Sequence, residues 1–285
     1  MCGVRILRRK RFDARRLSQL FIYVLLAATL LLVFAPIVLL VVLSLKDNGQ
    51  IYGRFWSLPR PARWENFLLA FRAIRFFILN SVVASGLSTI FTVVLASLAG
   101  YVFARHRFPG KEAIFTGILA LMMIPPLLTL IPAYVLVHRL GLVNSRWALI
   151  LPWTSGGLVF GLLLCRSFFA TLSQEFFDAA RMDGASEIDA FTRIAVPLSA
   201  PIMVTLTVMR LVTTYNQFMW PLVVISNARK QVVAVGLTQF TSEIGVTDIG
   251  PQMAGYIIAS LPLLVLFSFG MRYYISGLTA GGLKA

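Results

Sequence analysis

Residues 173–197 read SQEFFDAARMDGASEIDAFTRIAVP, and the rest of the chain is best understood outward from this stretch. It sets Glu175, Asp178, Asp183, Glu187 and Asp189 against Arg181 and Arg193 in a chain that is otherwise rich in apolar residues. Its pattern is helical up to Met182, with Phe176, Ala179 and Ala180 forming an apolar stripe at helical spacing. Gly184 supplies a break. Ser186 followed by Asp189 then has the form of a helix N-cap with an acid in the first turn. The expectation is two short helices joined at a glycine, the second ending near Pro197.

On both sides of this stretch the sequence turns apolar. Of the 285 residues 58% are hydrophobic and only 13% charged, with a mean hydropathy of +0.82. Long uncharged runs of that kind fit lipid as the solvent better than one soluble core. Six runs are long enough to cross about 30 Å of hydrocarbon: 20–43, 80–103, 113–137, 148–169, 200–225 and 253–271. The run 20–43 is too long for the apolar region of a secretory signal and lacks a small-x-small end, so it reads as a retained span. Pro36, Gly86, Pro125, Pro126, Pro132, Gly156, Gly157 and Pro262 lie in the runs, as kinks or as breaks beside a moving pathway.

The 26 Lys and Arg against 11 Asp and Glu are then a statement about orientation rather than about nucleic acid. Arg5, Arg8, Arg9, Lys10, Arg11, Arg15 and Arg16 place the N-terminus in the cytoplasm; the even number of spans puts the C-terminus there too, along with residues 173–197. Lys46, Arg54, Arg60, Arg63, Arg72 and Arg75 fall on the opposite side, against the positive-inside expectation. Cys2 and Cys165 form no framework and no metal spacing occurs.

The loop resembles the signature of the membrane subunits of ATP-binding-cassette importers. In that family Glu-Ala-Ala is followed three residues later by Gly, and after nine more by Ile-x-Leu-Pro. Here Asp178-Ala179-Ala180 precedes Gly184, and Ile194-Ala195-Val196-Pro197 follows with both spacings intact. Asp178 for Glu and Val196 for Leu are the departures, and the first shortens the reach of a carboxylate. The resemblance implies an all-α integral membrane protein with six transmembrane helices, the type I ABC importer transmembrane fold. It also implies that Asp178, Ala179, Ala180, Asp183, Gly184, Ile194 and Pro197 form the coupling helix region that sits in a cleft of an ATPase subunit.

Further segments narrow the branch. Asn80-Ser81, residues 100–111 (GYVFARHRFPGK), Met123-Ile124-Pro125, Ile131-Pro132, residues 140–144 (LGLVN), residues 215–222 (YNQFMWPL) and residues 277–284 (GLTAGGLK) are similar to carbohydrate-uptake permeases of the maltose type. This implies a second, non-identical permease subunit, two ATPase subunits and an extracytoplasmic solute-binding protein, in a bacterial inner membrane. The organisation expected is a basic arm (1–19), a first span with an extracytoplasmic segment (20–75), a five-helix transmembrane domain (76–276) containing the coupling loop, and a cytoplasmic tail (277–285).

Arg210 lies about ten residues into the fifth run, roughly 15 Å deep by helical rise, and an intramembrane Arg turns toward a partner or a wet cavity. On a helical wheel Thr207, Arg210, Thr214 and Gln217 share one stripe, with Asn216 on another side. Either these residues line the translocation path, with Arg210 favouring anionic saccharides such as uronates, or Arg210 pairs with an acid or carbonyl of the partner subunit. The basic extracytoplasmic segment would attract acidic solute or an acidic binding protein in the same way.

Two rival functions are weaker. An ion-coupled secondary transporter usually keeps a carboxylate at mid-membrane, whereas all eleven acids here fall in loops or at span ends. A membrane enzyme would need partners for His106 or His138, and neither has a Ser, Cys or Asp at a telling spacing. No Walker-type phosphate loop is present, so no catalytic residue, metal site or cofactor is expected here; ATP and Mg would be bound by the partner ATPase.

Overall fold

The computed structural model describes the backbone of residues 7–241 and 248–282, with side chains for 18–241, 248–268 and 270. Arg5 of the basic arm and Leu283 and Lys284 of the tail lie outside the described residues. The helices are α1 (Leu7–Ser44), α2 (Asn48–Gly53), α3 (Glu65–Arg105), α4 (Lys111–Ala120), α5 (Leu130–Arg139), α6 (Trp147–Phe169), α7 (Gln174–Met182), α8 (Glu187–Leu198), α9 (Ala200–Tyr215), α10 (Met219–Val224), α11 (Val233–Phe240) and α12 (Ile249–Gly282). No strand occurs among the described residues.

Among the described residues four helices are long and apolar enough to cross a bilayer unbroken, within α1, α3, α6 and α12. The other two expected spans differ. The third bends by 99° between Met123 and Pro126, and the fifth, where α9 alone is only 16 residues, is long enough only together with α8, across a bend of 76°. Both changes have local causes. Pro125 and Pro126 lack the N–H groups that would continue the helix. After Tyr215 the chain leaves the helix at Asn216 and resumes only at Met219. The second span is longer than expected, 41 residues against the run 80–103, because the amphipathic residues from Glu65 to Leu79 continue the same helix.

The chain divides into two compact units, one holding the described residues up to Ala70 with those from 248 to Ile257, the other Phe71 to 241 with those from Ile258 onward. In the first, α1 presents its apolar residues from Leu20 to Val38 outward, Leu32 at 76% exposure. Only lipid or another protein makes that arrangement tenable. After Ser44 the chain folds into a tight hairpin. Lys46 is wholly buried, and its Nζ donates to the carbonyls of Arg54 (3.0 Å) and Phe55 (2.7 Å). Asp47 caps α2 by accepting from Gln50 N at 2.9 Å and pairs with Arg63 at 3.3 Å. Arg63 N donates to Leu45 O at 2.8 Å, closing the hairpin beside the end of α1. Of the basic residues from Arg54 to Arg75 expected to attract acidic solute, Arg63 is thus engaged internally, as is Lys46 before them.

The second unit is organised on α6, where Gly157, Gly161 and Cys165 follow one another every fourth residue. A Cβ on Gly161 would lie 2.7 Å from that of Ala96, and one on Gly100 would lie 2.5 Å from that of Cys165. Small residues let α3 and α6 approach closely, as in other membrane helix pairs. Between them the hydroxyls of Thr92 and Thr154 each donate to a carbonyl of their own helix, at 2.8 and 2.7 Å. Pro152, inside α6, leaves the Ala148 carbonyl without its helical donor. The indole N–H of buried Trp220 takes that place at 2.8 Å, which fixes α10 against α6. The Trp220 ring lies in an apolar cluster with Ala84, Leu149, Trp153, Val224 and Val235.

The segment joining α10 to α11 is pinned from two sides. Asn80 Nδ2 donates to the carbonyls of Arg229 (2.9 Å) and Gln231 (3.1 Å), and Ser81 Oγ accepts from Val233 N at 2.7 Å. Asn144, left-handed at φ 61°, accepts on Oδ1 from the N–H groups of Ser226 (2.7 Å) and Asn227 (3.1 Å). Asn tolerates that backbone region better than most residues.

Candidate functional site

The acidic stretch folds as two capped helices. Ser173 Oγ accepts from Glu175 N at 3.3 Å and starts α7. The end of α7 is closed by Ala185 N to Ala180 O (2.9 Å) and Gly184 N to Arg181 O (3.0 Å). That pattern needs a left-handed residue after the helix, and Gly184 supplies it at φ 80°. A capping box starts α8, with Asp189 N donating to Ser186 Oγ (3.2 Å) and Ser186 N to Asp189 Oδ2 (3.3 Å). The Ser186 hydroxyl and then its N–H donate to the Asp189 carboxylate, and with Arg193 beside it they hold that carboxyl below its ordinary value. α8 widens to a π-helical turn over Ala190–Ala195, and Pro197 withdraws one more backbone N–H near the bend at Ser199.

The expected apolar stripe faces outward rather than inward: Phe176 and Ala179 are exposed and Ala180 is half-buried. Phe176 is 55% exposed, and its neighbour Phe177 is the buried one, at 2%. Phe177 packs with Tyr101, Phe169, Ala190, Ala195 and Leu206, and Ile194 borders the same cluster, half-buried. The end of α3 forms the socket. Arg105 lays its guanidinium 4.1 Å from the Phe177 ring centre, and donates from Nη2 to Leu172 O (2.6 Å) and from Nη1 to Gln174 Oε1 (3.1 Å). Tyr101 OH donates to Glu187 at 3.3 Å, and His106 Nε2 lies 3.5 Å from the same carboxylate. Arg181 reaches Glu187 from the other side at 3.1 Å.

What remains outward is a continuous small and apolar face with carboxylates on it. Ala179, Asp183, Gly184 and Pro197 are exposed, as are Met182 (89%) and Ile188 (75%), while Ala180 is half-buried. Asp178, also exposed, accepts from Gln174 Nε2 at 3.0 Å and lies 3.8 Å from Arg181. Small side chains on a closed, pre-capped pair of helices let another protein come near the backbone. The acids offer it charge.

The residues proposed for a solute path are placed less uniformly. Thr207 Oγ1 donates to Met203 O and Thr214 Oγ1 to Arg210 O, each at 2.8 Å, so both hydroxyls turn onto their own helix; Thr214 is buried. Asn216 caps the end of α9 by donating to Val212 O at 2.9 Å. Gln217 lies beyond the helix end, so the stripe drawn on a continuous wheel stops at Thr214. Arg210 crosses to α6, where Nη2 donates to the Trp153 carbonyl at 2.6 Å, and a Cβ on Gly157 would fall 2.5 Å from its Cζ. Among the described residues it pairs with no carboxylate, and its Nε is buried without a hydrogen bond.

In the sequence Tyr101, Arg105, Asn80, Ser81 and Asn144 stand out only within motifs, and His106 only within a motif and as a histidine without a catalytic partner. The structure gives them jobs: Tyr101, Arg105 and His106 seat the acidic loop on α3, and Asn80, Ser81 and Asn144 hold the α10–α11 connection.

Residues 93–279 match the family described as binding-protein-dependent transport system inner membrane component. A probable ABC transporter permease protein of Bacillus subtilis, YurM, is 32% identical over 94% of this chain and 89% of its own length. The trehalose/maltose transport system permease protein MalG of Thermococcus litoralis is 34% identical over 72% of this chain and 74% of its own. Among solved structures, a bacterial ABC transporter involved in the import of the acidic polysaccharide alginate superposes with a TM-score of 0.82, covering 92% of this chain and 98% of that one. Its 19% identity makes this a likeness of fold.

Proposed function

The chain belongs to the binding-protein-dependent transport system inner membrane component family, and from that premise we propose that it forms one half of the translocation pathway of an ATP-driven importer for a sugar or oligosaccharide. The other half is a second, non-identical permease subunit. Two ATPase subunits bind and hydrolyse ATP with Mg, this chain carrying no catalytic group of its own, and an extracytoplasmic binding protein delivers the solute. Both termini lie in the cytoplasm, as does the acidic loop. The observation that carries the reading is that loop: α7 and α8 are locked to α3, α6 and α9 on one side and present Ala179, Met182, Asp183, Gly184 and Ile188 on the other. A partner that closes on this face moves the spans with it.

The substrate class follows from the permeases to which the chain is similar, which include those for arabinooligosaccharides and for trehalose/maltose. Arg210 adds a bias toward an anionic saccharide. Its charge is solvated by one backbone carbonyl rather than neutralised by an acid, so a cation remains beside α6, where a charge is expensive unless it faces a cavity or partner.

The test is co-purification followed by reconstitution. The chain should bring down an ATPase, and uptake into liposomes should require ATP and the binding protein. Uptake by this chain alone on an ion gradient would overturn the reading.

A further inference from the structure

The hairpin between α1 and α3 is built inside out. Apart from buried Ile51 its interior is polar, formed by Lys46 Nζ on two carbonyls, Asn66 Nδ2 on the carbonyls of Ser44 (2.8 Å) and Lys46 (3.0 Å), and Gln50 Nε2 on Pro61 O (3.1 Å). Its exterior carries large rings and apolar groups: Tyr52 is 78% exposed, Trp56 83%, Leu58 68% and Trp64 69%. Leaving these in water is unfavourable by about 25 cal/mol per Å², and the fixed backbone keeps them from folding inward.

Their position says what covers them. The apolar run 20–43 fills the hydrocarbon, at about 1.5 Å per residue, so α1 leaves it near Ser44. The hairpin closes at Leu45 and Arg63, which holds these rings at the depth of the headgroups, where Trp and Tyr collect. A cavity of about 600 Å³ opens beside them, lined by Gln50, Arg54, Ser57, Leu58 and Arg60, with Asp47 at its wall. Asp47 is engaged by the Gln50 N–H in the first turn of α2 and by Arg63, which hold its carboxyl below its ordinary value. Arg54 and Arg60 have no ion-pair partner among the described residues. Guanidinium groups chelate phosphate oxygens.

We propose that this hairpin is an interfacial clamp that binds the phosphate of an anionic phospholipid headgroup between Arg54 and Arg60, with Trp56, Leu58 and Trp64 in the acyl boundary. This requires only that α1 crosses the bilayer; it does not depend on what is transported.

The experiment uses the assembled transporter in nanodiscs of phosphatidylglycerol or phosphatidylcholine. Phosphatidylglycerol should be retained preferentially on extraction, and R54Q/R60Q should weaken that preference by roughly 30-fold, from about a kcal/mol per basic group near the surface. Brominated lipid should quench tryptophan emission in the parent and less in Trp56→Phe, which removes that indole emitter but keeps an aromatic ring at an exposed position. Equal retention of both lipids, or quenching that Trp56→Phe leaves unaltered, would overturn the proposal. So would inorganic phosphate binding in detergent as tightly as the lipid, which would make this a free-anion site. Quenching present in the isolated chain but lost on assembly would assign the rings to a protein interface, and would overturn it as well.

Discussion

The guanidinium of Arg210 donates to the main-chain carbonyl of Trp153 at 2.6 Å, across the point where Gly157 has no side chain. A cation within the membrane is thus held by another helix's backbone. Gly157→Ala would put a methyl 2.5 Å from Cζ. Because the crowded atoms are the far end of a flexible side chain, the guanidinium gives way rather than the helices. We expect a modest loss of thermal stability, about 1–3 kcal/mol for a charged hydrogen bond, with a changed transport rate. Arg210→Gln should shift the ratio of uronate to neutral sugar uptake; an unchanged ratio removes the anionic preference.

Arg105 touches the acidic loop at three points: the Leu172 carbonyl, Gln174 and the Phe177 ring. Arg105→Ala should leave the complex assembled but raise the ATP hydrolysed per solute imported several-fold. Arg105→Lys should rescue little, since an ammonium lacks the planar guanidinium that bonds two acceptors in its plane while its face lies on a ring. The stoichiometry is read from parallel phosphate-release and uptake assays in proteoliposomes.

The capping box gives a pH signature. Asp189 is held below its ordinary value in the folded loop, so its contribution is complete above the ordinary carboxylate pKa of about 4. It disappears as pH falls through the lower folded value. Amide exchange at 187–190, corrected for intrinsic rate, should therefore be flat at neutral pH and rise below about pH 4. Ser186→Ala should weaken the pH dependence to what the residue 186 N–H and Arg193 supply, while raising exchange throughout.

Trp220 and Pro152 are expected to be coupled. Trp220→Phe keeps most of the ring but strips the buried Ala148 carbonyl of its donor, at a cost of about 1–3 kcal/mol. Pro152→Ala returns a main-chain N–H to that carbonyl. The double variant should melt at a higher temperature than the sum of the two single losses predicts, and strict additivity would show that the indole acts only by filling space.

The spans were legible because hydrocarbon thickness imposes a length on each apolar run, and that length needs no knowledge of neighbours. Gly184 and Ser186 were legible for a similar reason, since caps close within a few residues. The failures sit where distant residues decide. Phe176 and Phe177 are adjacent on a nine-residue helix, and Tyr101, Phe169 and Phe191 choose between them. Pro125 and Pro126 announced a break but not its 99°, which packing sets. The end of α9 at Tyr215 had no proline or glycine to mark it. The partner of Arg210 was beyond reach because a backbone carbonyl carries no sequence signal.

The seating of the acidic loop has a mechanical consequence. By connectivity the loop is attached only to α6 and α9, two attachments at the ends of one strand of chain. Tyr101 and Arg105 add α3 as a third. A load applied there is shared by elements in parallel, whose stiffnesses add, instead of passing through them in series, where the most compliant one would absorb the stroke. The π-helical turn and the bend at Ser199 would be such soft points. With α3 bearing part of the load, less of any displacement of the loop would be lost as local bending at those points.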